Sequence, residues 1–387
     1  KNLTKMEDEL AKLPDLDLAQ AWFILTLPDH PDAEKSKTKL LTAIKTDNMS
    51  ALYLDVCEQL KFPVDKDLVE TMQKANTDKI KALDDKIEDA EKNLGETEVR
   101  EALLEKAEYY CLIGNKKEAE NWFRVTAEKT VGIGGRIDIV LTLIRMGLFY
   151  NDNDLITRNI AKARDLIEEG GDWDRRNRLK VYEAYYMLST RNFKDASTLL
   201  LETMATFTAT ELISYEDFIF YAVLAGLLTL ERVEMKEKVV DSPEIKTVVH
   251  NIEHLQAYIE NFYEGSYDKF FVALAGVTDR LENDRILSRH ARFYCREMRV
   301  RAYKQLLQSY RSIELGSMAS SFGVSNEFID KELSRFISLG RLNCKIDKVG
   351  GVVVTNRPDS KNAQYQATIK QGDNLLNRIS KLKGVLV

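Results

Sequence analysis

Apolar and aromatic residues recur three and four positions apart over most of this sequence, a spacing that predicts amphipathic helices. From residue 98 to residue 308, short polar turns interrupt the apolar stretches about every 35 to 40 residues. An apolar helix precedes and follows each turn, and one hairpin alone cannot bury both of its faces. The pattern therefore predicts consecutive, stacked helical hairpins. Their turns are at 114–119, 151–154, 190–196, 231–232 and 265–268.

The first of these turns, Gly114–Ala119, matches the G-[ND]-x-x-x-A turn of the tetratricopeptide repeat. No proline lies between Pro63 and Pro243, which favours uninterrupted helical architecture because proline breaks helix interiors. We therefore predict a mainly α fold in which residues 98–308 form a right-handed superhelix of TPR-like helical hairpins.

Residues 1–97 are predicted as an N-terminal helical arm. Prolines break the first sixty residues into short helices. A long, charged helix follows from Val64 to about Thr97, with apolar residues three and four positions apart on one face. We expect this helix to pack on one side only, and a coiled-coil partner is the alternative.

The apolar pattern changes period within residues 309–357, from helical spacing to alternation. Ser325 is the predicted N-cap of the second helix and Gly340 its predicted stop. The pair Gly350-Gly351 reverses the chain between two strands. These elements predict a winged helix, which with the preceding helices makes a module of about 185–357. The elements are helices Leu315–Phe322 and Asn326–Leu339 and strands Asn343–Asp347 and Val352–Thr355.

Winged helices often bind DNA, but the charge of the second helix disfavours that function. It carries two cations, Lys331 and Arg335, against three acids, Glu327, Asp330 and Glu332, a balance of minus one. Affinity for DNA requires a surplus of Lys and Arg to contact phosphates. We predict an assembly module, with a nucleic-acid reader as the alternative.

The second strand of the wing is short and apolar, and we expect it to lie at an edge of the sheet. Unpaired backbone groups at such an edge pair with a strand of another chain. The interface residues predicted for the wing are Val352, Val353, Val354 and Thr355.

A C-terminal helix is predicted within residues 358–387, from about Asn362 to Lys383. Its apolar residues form a stripe with steps of three and four. Such a stripe on a terminal helix favours packing against a partner helix, with packing onto its own chain as the alternative. The predicted interface residues are Tyr365, Ile369, Leu375, Leu376, Ile379 and Leu382.

The composition is mildly acidic, with 56 Lys and Arg against 62 Asp and Glu among 387 residues, a net charge of -6. This balance disfavours nucleic acid and anionic membranes as main partners. No apolar run approaches the roughly 18–20 residues that span a bilayer, and the first residues do not resemble a signal peptide. Four scattered cysteines predict reduced thiols in a cytoplasmic and nuclear protein: Cys57, Cys111, Cys295 and Cys344.

One segment resembles a catalytic motif. His250-Asn251-Ile252-Glu253-His254 fits the H-x-x-E-H pattern of inverted zinc peptidases. Two histidines four positions apart on a helix can share one metal, and Glu253 can polarise a water. The apolar residues of that helix would turn both histidines to solvent, and no third ligand is identifiable. We predict surface histidines and no catalytic, cofactor-binding or metal-binding residues, with a zinc hydrolase as the alternative.

Two further segments are weighed in the same way. The stretch VGIGGR at 131–136 lacks the third glycine of a dinucleotide fingerprint and predicts a flexible turn between hairpins. The charged segment from Asp172 to Arg178 surrounds an aromatic residue and is compatible with RNA binding. Its alternating signs favour a salt-bridged hairpin entry that holds one repeat on the next.

Helical repeats that run into a winged helix of this form resemble the PCI domain, which is shared by the proteasome lid, the signalosome and a translation initiation factor complex. Met318 stands where that family more often has leucine. The segments IEEGGDWDRRNRLKVYEAYY, TFTATELISYEDF and NRPDSKNAQYQATIKQGDNLLNR are similar to the subunit-seven/PSMD-six type of non-ATPase lid subunit. The motif positions are Ile313, Leu315, Ala319, Phe322, Gly323, Leu333, Ile337, Gly340, Ile346 and Asp347.

This resemblance implies a non-catalytic scaffold subunit of the lid of the 26S proteasome 19S regulatory particle, needed for lid assembly and ubiquitin-dependent protein degradation. PCI subunits line up through their winged-helix sheets and gather their C-terminal helices in a bundle. The implied partners in this hetero-oligomer are other lid PCI subunits, the lid deubiquitinase module and the ATPase ring. The alternative is the equivalent PCI scaffold of the signalosome, whose first subunit shares the hairpin motif.

Overall fold

The computed structural model describes residues 12–28, 30–356 and 360–386. The chain divides into two compact units. The first comprises 1–263 with 273–294, and the second comprises 264–272 with 295–387. Helices dominate both units, and a three-stranded sheet lies near the C-terminus. The predicted fold class, mainly α with helical hairpins and a winged helix, is confirmed.

Four helices open the first unit. Leu40 and Ile44 are almost fully buried in their shared core, which Phe149 from a later helix completes. The long charged helix is confirmed but ends at Asn93, because Leu94 and Gly95 have extended backbone conformations before the next helix begins. The four helices are α1 (Leu16–Thr26), α2 (Ala33–Thr46), α3 (Ser50–Leu60) and α4 (Lys66–Asn93).

Helical hairpins follow, and the predicted turns separate their helices. The side chains of Asn115, Asp152, Asp172 and Asn192 each accept a hydrogen bond from the backbone N–H three residues later. These four N-caps start the helices that follow them and satisfy otherwise unpaired N–H groups. The helices are α5 (Glu96–Leu112), α6 (Lys116–Lys129), α7 (Ile133–Tyr150), α8 (Asn153–Gly170), α9 (Trp173–Ser189), α10 (Phe193–Thr203) and α11 (Tyr215–Thr229).

The glycine-rich stretch at 131–136 is not the flexible turn that we predicted. α7 begins at Ile133, so Gly134 and Gly135 lie in its first turn. A Cβ atom added to Gly134 would lie 3.1 Å from Cζ of Arg175. The glycine therefore allows the guanidinium to approach the start of α7 closely.

The remaining helices include short irregular turns. A π-helical turn lies at Lys236–Val240, and 3-10 turns lie at Met204–Thr206, Val249–Asn251 and Ser288–His290. The predicted breaks near residue 231 and at 265–268 are confirmed. The helices are α12 (Arg232–Met235), α13 (Pro243–Val248), α14 (Leu255–Glu264), α15 (Tyr267–Glu282) and α16 (Ala291–Ser309).

The second unit contains the winged helix at its predicted position. The hydroxyl of Ser325 accepts a hydrogen bond from the Phe328 N–H at 3.3 Å, which confirms the predicted N-cap. Gly323 and Gly340 adopt left-handed φ angles of 63° and 67°, where glycine is the favoured residue. The elements are β1 (Ser312–Glu314), α17 (Leu315–Phe322), α18 (Asn326–Ser338), β2 (Cys344–Asp347) and β3 (Val352–Thr355).

β3 lies at the centre of this sheet. The strand order is β1-β3-β2, and both neighbours pair with β3 in antiparallel fashion. The prediction that Val352–Thr355 forms an exposed edge is therefore wrong. Val353 pairs with Ile313 on one side and Ile346 on the other, and its side chain is fully buried. The reason for the error is β1, a three-residue strand that is too short to show alternation.

The last helix, α19 (Ser360–Leu386), confirms the predicted C-terminal helix and extends it at both ends. Within the described ranges, each helix is too short or too polar to cross a membrane.

Candidate interaction surfaces

α19 leaves its apolar side chains uncovered. All six predicted interface residues on this helix have more than half of their surface exposed. The sequence left open the alternative that this stripe packs onto its own chain. Among the described residues, the structure does not show such packing. Contact with a partner stays a prediction. The exposed fractions are Tyr365 67%, Ile369 64%, Leu375 61%, Leu376 62%, Ile379 53% and Leu382 63%.

The edges of the sheet are β1 and β2. The Asn356 N–H donates to the Asn343 carbonyl at 2.9 Å, so those two residues form a hydrogen-bonded pair just before β2. Bonded and non-bonded pairs alternate along an antiparallel ladder. Cys344 and Ile346 therefore direct their backbone N–H and C=O groups away from β3. Sequence reasoning missed this edge because it assigned the outer position to the wrong strand.

A compact aromatic core holds the winged helix together. The ring of Phe322 at the end of α17 lies 4.7 Å from the rings of both Tyr267 and Tyr303. The Tyr303 hydroxyl donates to Glu332 of α18, and Arg299 pairs with the same carboxylate at 2.9 Å. Burial and the hydrogen bond to Glu332 raise the pKa of Tyr303 well above its usual range, so the phenol stays a donor. These contacts hold α17 and α18 against Tyr267 and α16.

The charges of α18 are largely paired within the module. Lys331 lies 3.9 Å from Glu327, and Lys348 of the turn after β2 pairs with Asp330 at 3.0 Å. α18 carries only two cations, Lys331 and Arg335, and Lys331 lies beside Glu327, so the helix offers no row of free cations for phosphate contacts.

The histidine motif is not arranged as a metal site. We expected one helix across it, but His250 lies in a 3-10 turn and α14 begins only at Leu255. His254 has a left-handed φ of 62°, so the two rings are not one turn apart on a helix. Both histidines are exposed, as predicted. In the described parts of the chain, no three metal-binding side chains of the His, Cys, Asp or Glu type lie close enough to hold an ion.

The charged segment from Asp172 to Arg178 is a structural network, as predicted. Arg175 binds both carboxylate oxygens of Asp138 in α7, at 3.0 and 2.7 Å. Arg178 binds the buried Glu211, which also accepts from the Tyr182 hydroxyl at 3.0 Å. These bonds join α9 to α7 and to the segment after α10, so one hairpin is held on the next.

The comparisons with known proteins agree with this architecture. A family model described as 26S proteasome subunit RPN7 matches residues 65–238, and the PCI domain model matches 268–357. A model of the RPN7/PSMD6 C-terminal helix matches 364–385, the range that carries the exposed stripe of α19.

Curated relatives match over almost their whole length. The 26S proteasome non-ATPase regulatory subunit 6 of Dictyostelium discoideum is 51% identical over 98% of this chain and 100% of its own. This chain belongs to the RPN7 family. The Arabidopsis thaliana homolog of subunit 6 is 50% identical over 98% of both chains. RPN7 of Saccharomyces cerevisiae is 38% identical over 96% of this chain and 92% of its own.

Membership in the RPN7 family decides between the two alternatives from the sequence. Its models cover both the hairpin region and the C-terminal helix, so the chain is a PCI protein of the proteasome type rather than of the signalosome type. The family name designates a regulatory, non-ATPase subunit.

Proposed function

We propose that this protein is a non-catalytic scaffold subunit of the 26S proteasome lid, in the 19S regulatory particle, and that it supports lid assembly and ubiquitin-dependent degradation. The observation that carries the proposal is α19, a terminal helix with six large apolar side chains exposed in the isolated chain. The names of its relatives supply the assembly in which those side chains become covered.

The apolar stripe can contribute a substantial association energy. Full burial of a leucine or isoleucine side chain contributes roughly 1.5–3 kcal/mol. Since between 53% and 67% of each residue is exposed, covering the stripe contributes about 1–2 kcal/mol per side chain in these terms. Six such residues give about 6–12 kcal/mol before the costs of association, which is enough to hold a helix in a bundle.

The wing supplies a second surface. Strand addition at the outer edge of β2 would pair the backbone groups of Cys344 and Ile346 with a neighbouring PCI subunit. The central position of β3 means that this strand supports the edge from within the module and does not pair outside it.

The partners we propose are other lid PCI subunits, the deubiquitinase module of the lid and the ATPase ring, in the cytoplasm and nucleus. Catalysis is left to those partners, because the histidine motif, the sharpest enzyme-like signal of the sequence, is not built as a site.

The experiment replaces Ile369 and Leu376, which are seven residues apart on the stripe, with Asp. A matched control places the same two charges on the opposite face of α19, at Ala367→Asp and Asn374→Asp, which are also seven residues apart and exposed. Loss of about 2–4 kcal/mol of apolar burial, with two carboxylates to desolvate, should weaken incorporation by at least about 100-fold. The control should incorporate normally.

Incorporation is measured by co-expressing each tagged variant with the other lid subunits and quantifying the complete lid by native gel and mass spectrometry. Circular dichroism of the purified variants checks that both remain helical. Equal incorporation of the stripe variant and the control would refute a bundling role for α19.

A further inference from the structure

A cleft in the first unit carries an unbalanced positive charge. α6, α7 and α8 enclose a cavity of about 360 Å³, a volume within the range of about 300–1,000 Å³ that is typical of ligand clefts. Its floor is apolar and mostly buried. The floor residues are Phe123, Ile139, Val140, Leu143, Leu155 and Leu166.

Four cations line the rim of this cleft: Arg124, Arg136, Arg158 and Lys162. Within the described residues none of the four forms an ion pair, whereas many other cations of the hairpins are paired with a carboxylate. Arg136 and Arg158 each use only their Nε–H, on the carbonyls of Thr130 and Asp154. Their remaining guanidinium donors stay available to a ligand.

Two acids, Glu120 and Asp165, also line the cleft, so its local charge is plus two (four minus two). This surplus lies in a chain whose net charge is -6. Arg158 and Lys162 are four residues apart on the exposed face of α8 and therefore project side by side along the rim. An apolar floor with a row of unpaired cations is complementary to a segment that alternates carboxylates with an apolar side chain.

We infer that the α6–α8 cleft binds an acidic peptide segment of a protein partner, with an apolar side chain on the floor near Phe123 and Leu155 and carboxylates on the four rim cations. A nucleic acid fits less well, because its phosphates would find the cations but the floor has no exposed aromatic ring on which bases stack. The inference concerns a different surface from α19 and does not rest on the proposed function.

The probe is a fluorescein-labelled decapeptide of aspartate and glutamate with one central phenylalanine, titrated with the full chain in fluorescence anisotropy at 50 and 200 mM NaCl. The test variant is Arg158→Gln with Lys162→Gln. The matched control, Lys117→Gln with Lys129→Gln, removes two exposed cations of α6 that lie outside the cleft. A peptide with serine in place of phenylalanine tests the floor, and a ten-nucleotide oligouridine tests nucleic acid.

We expect saturable binding that is weaker at 200 mM than at 50 mM NaCl. The cleft variant should bind the peptide about tenfold or more weakly than the parent chain, and the control less than about twofold more weakly, because charge-assisted hydrogen bonds are lost only in the cleft variant. The serine peptide should bind several-fold more weakly. Absence of binding at 100 µM chain, equal loss in both variants, or tighter binding of the oligouridine would each overturn the inference. The cleft variant should still incorporate normally into the lid, so a loss of peptide binding can be told apart from a loss of the α19 contact.

Discussion

Removal of the buried carboxylate of Glu211 should destabilise the hairpin region strongly. Its side chain is 0% exposed and that of Arg178 is 4% exposed. One oxygen, Oε1, accepts from Nε and Nη2 of Arg178 at 3.0 and 2.8 Å and from the Tyr182 hydroxyl at 3.0 Å. In Glu211→Ala, Arg178 would keep only a distant carboxylate contact, to Asp138 at 3.5 Å, and the buried Tyr182 hydroxyl would lose its acceptor.

The size of the effect follows from this geometry. Breaking a buried ion pair by removing one partner costs about 3–5 kcal/mol, because the remaining charge is left in a low-dielectric environment. We expect about 4 kcal/mol for Glu211→Ala, and a similar loss for Arg178→Met. The double replacement Arg178→Met with Glu211→Leu should recover most of it, since apolar residues of similar volume often replace such a pair without loss.

The assay is equilibrium urea unfolding followed by circular dichroism, with the midpoint and slope compared for each variant. Glu202→Ala is the matched control, because Glu202 pairs with Lys180 of the same helix α9 at 3.0 Å but is 52% exposed. Its loss should cost no more than about 1 kcal/mol. A cost below about 1 kcal/mol for Glu211→Ala, or a double variant as unstable as the sum of the single ones, would refute the reasoning.

Two further predictions concern the wing and the turn before α8. Ile346→Pro removes an N–H that points away from β3, so it should leave the module folded but reduce lid incorporation. The control Ile346→Ala keeps the N–H and should incorporate normally. Equal incorporation of both variants would exclude strand addition at β2. Hydrogen bonds from Lys116 and from the Leu155 N–H lower the pKa of Asp152 below 3.8. The Asp152 carboxylate therefore stabilises the fold above pH 3.8, and this contribution is lost as the pH falls through the lowered pKa. Asp152→Asn should therefore be less stable than the parent at pH 7 in urea unfolding, and the difference should shrink as the pH falls below 3.8. A difference that stays constant with falling pH would contradict this assignment.

Local signals explain how much of the fold could be predicted. Each end signal lies next to the helix end that it marks: Gly323 ends α17, Ser325 starts α18 and Gly340 follows the end of α18. The bounds of both helices were therefore predicted to within one residue. The polar caps at Asn115 and Asp152 made the hairpin turns recognisable for the same reason. The stripe of α19 was also readable, because helical spacing alone places those residues on one face.

Contacts between distant segments were decided only by the tertiary structure. β1 has three residues, and only its pairing with β3 some forty positions later shows that β3 is central and that β2 is an edge. The spacing of His250 and His254 suggested one helix face, but a left-handed residue at 254 and a 3-10 turn separate them. Periodicity and capping act over one or two helical turns and are written in the sequence itself. Strand order and the pairing of buried charges depend on which segments meet after the chain has folded, and therefore appear only in three dimensions.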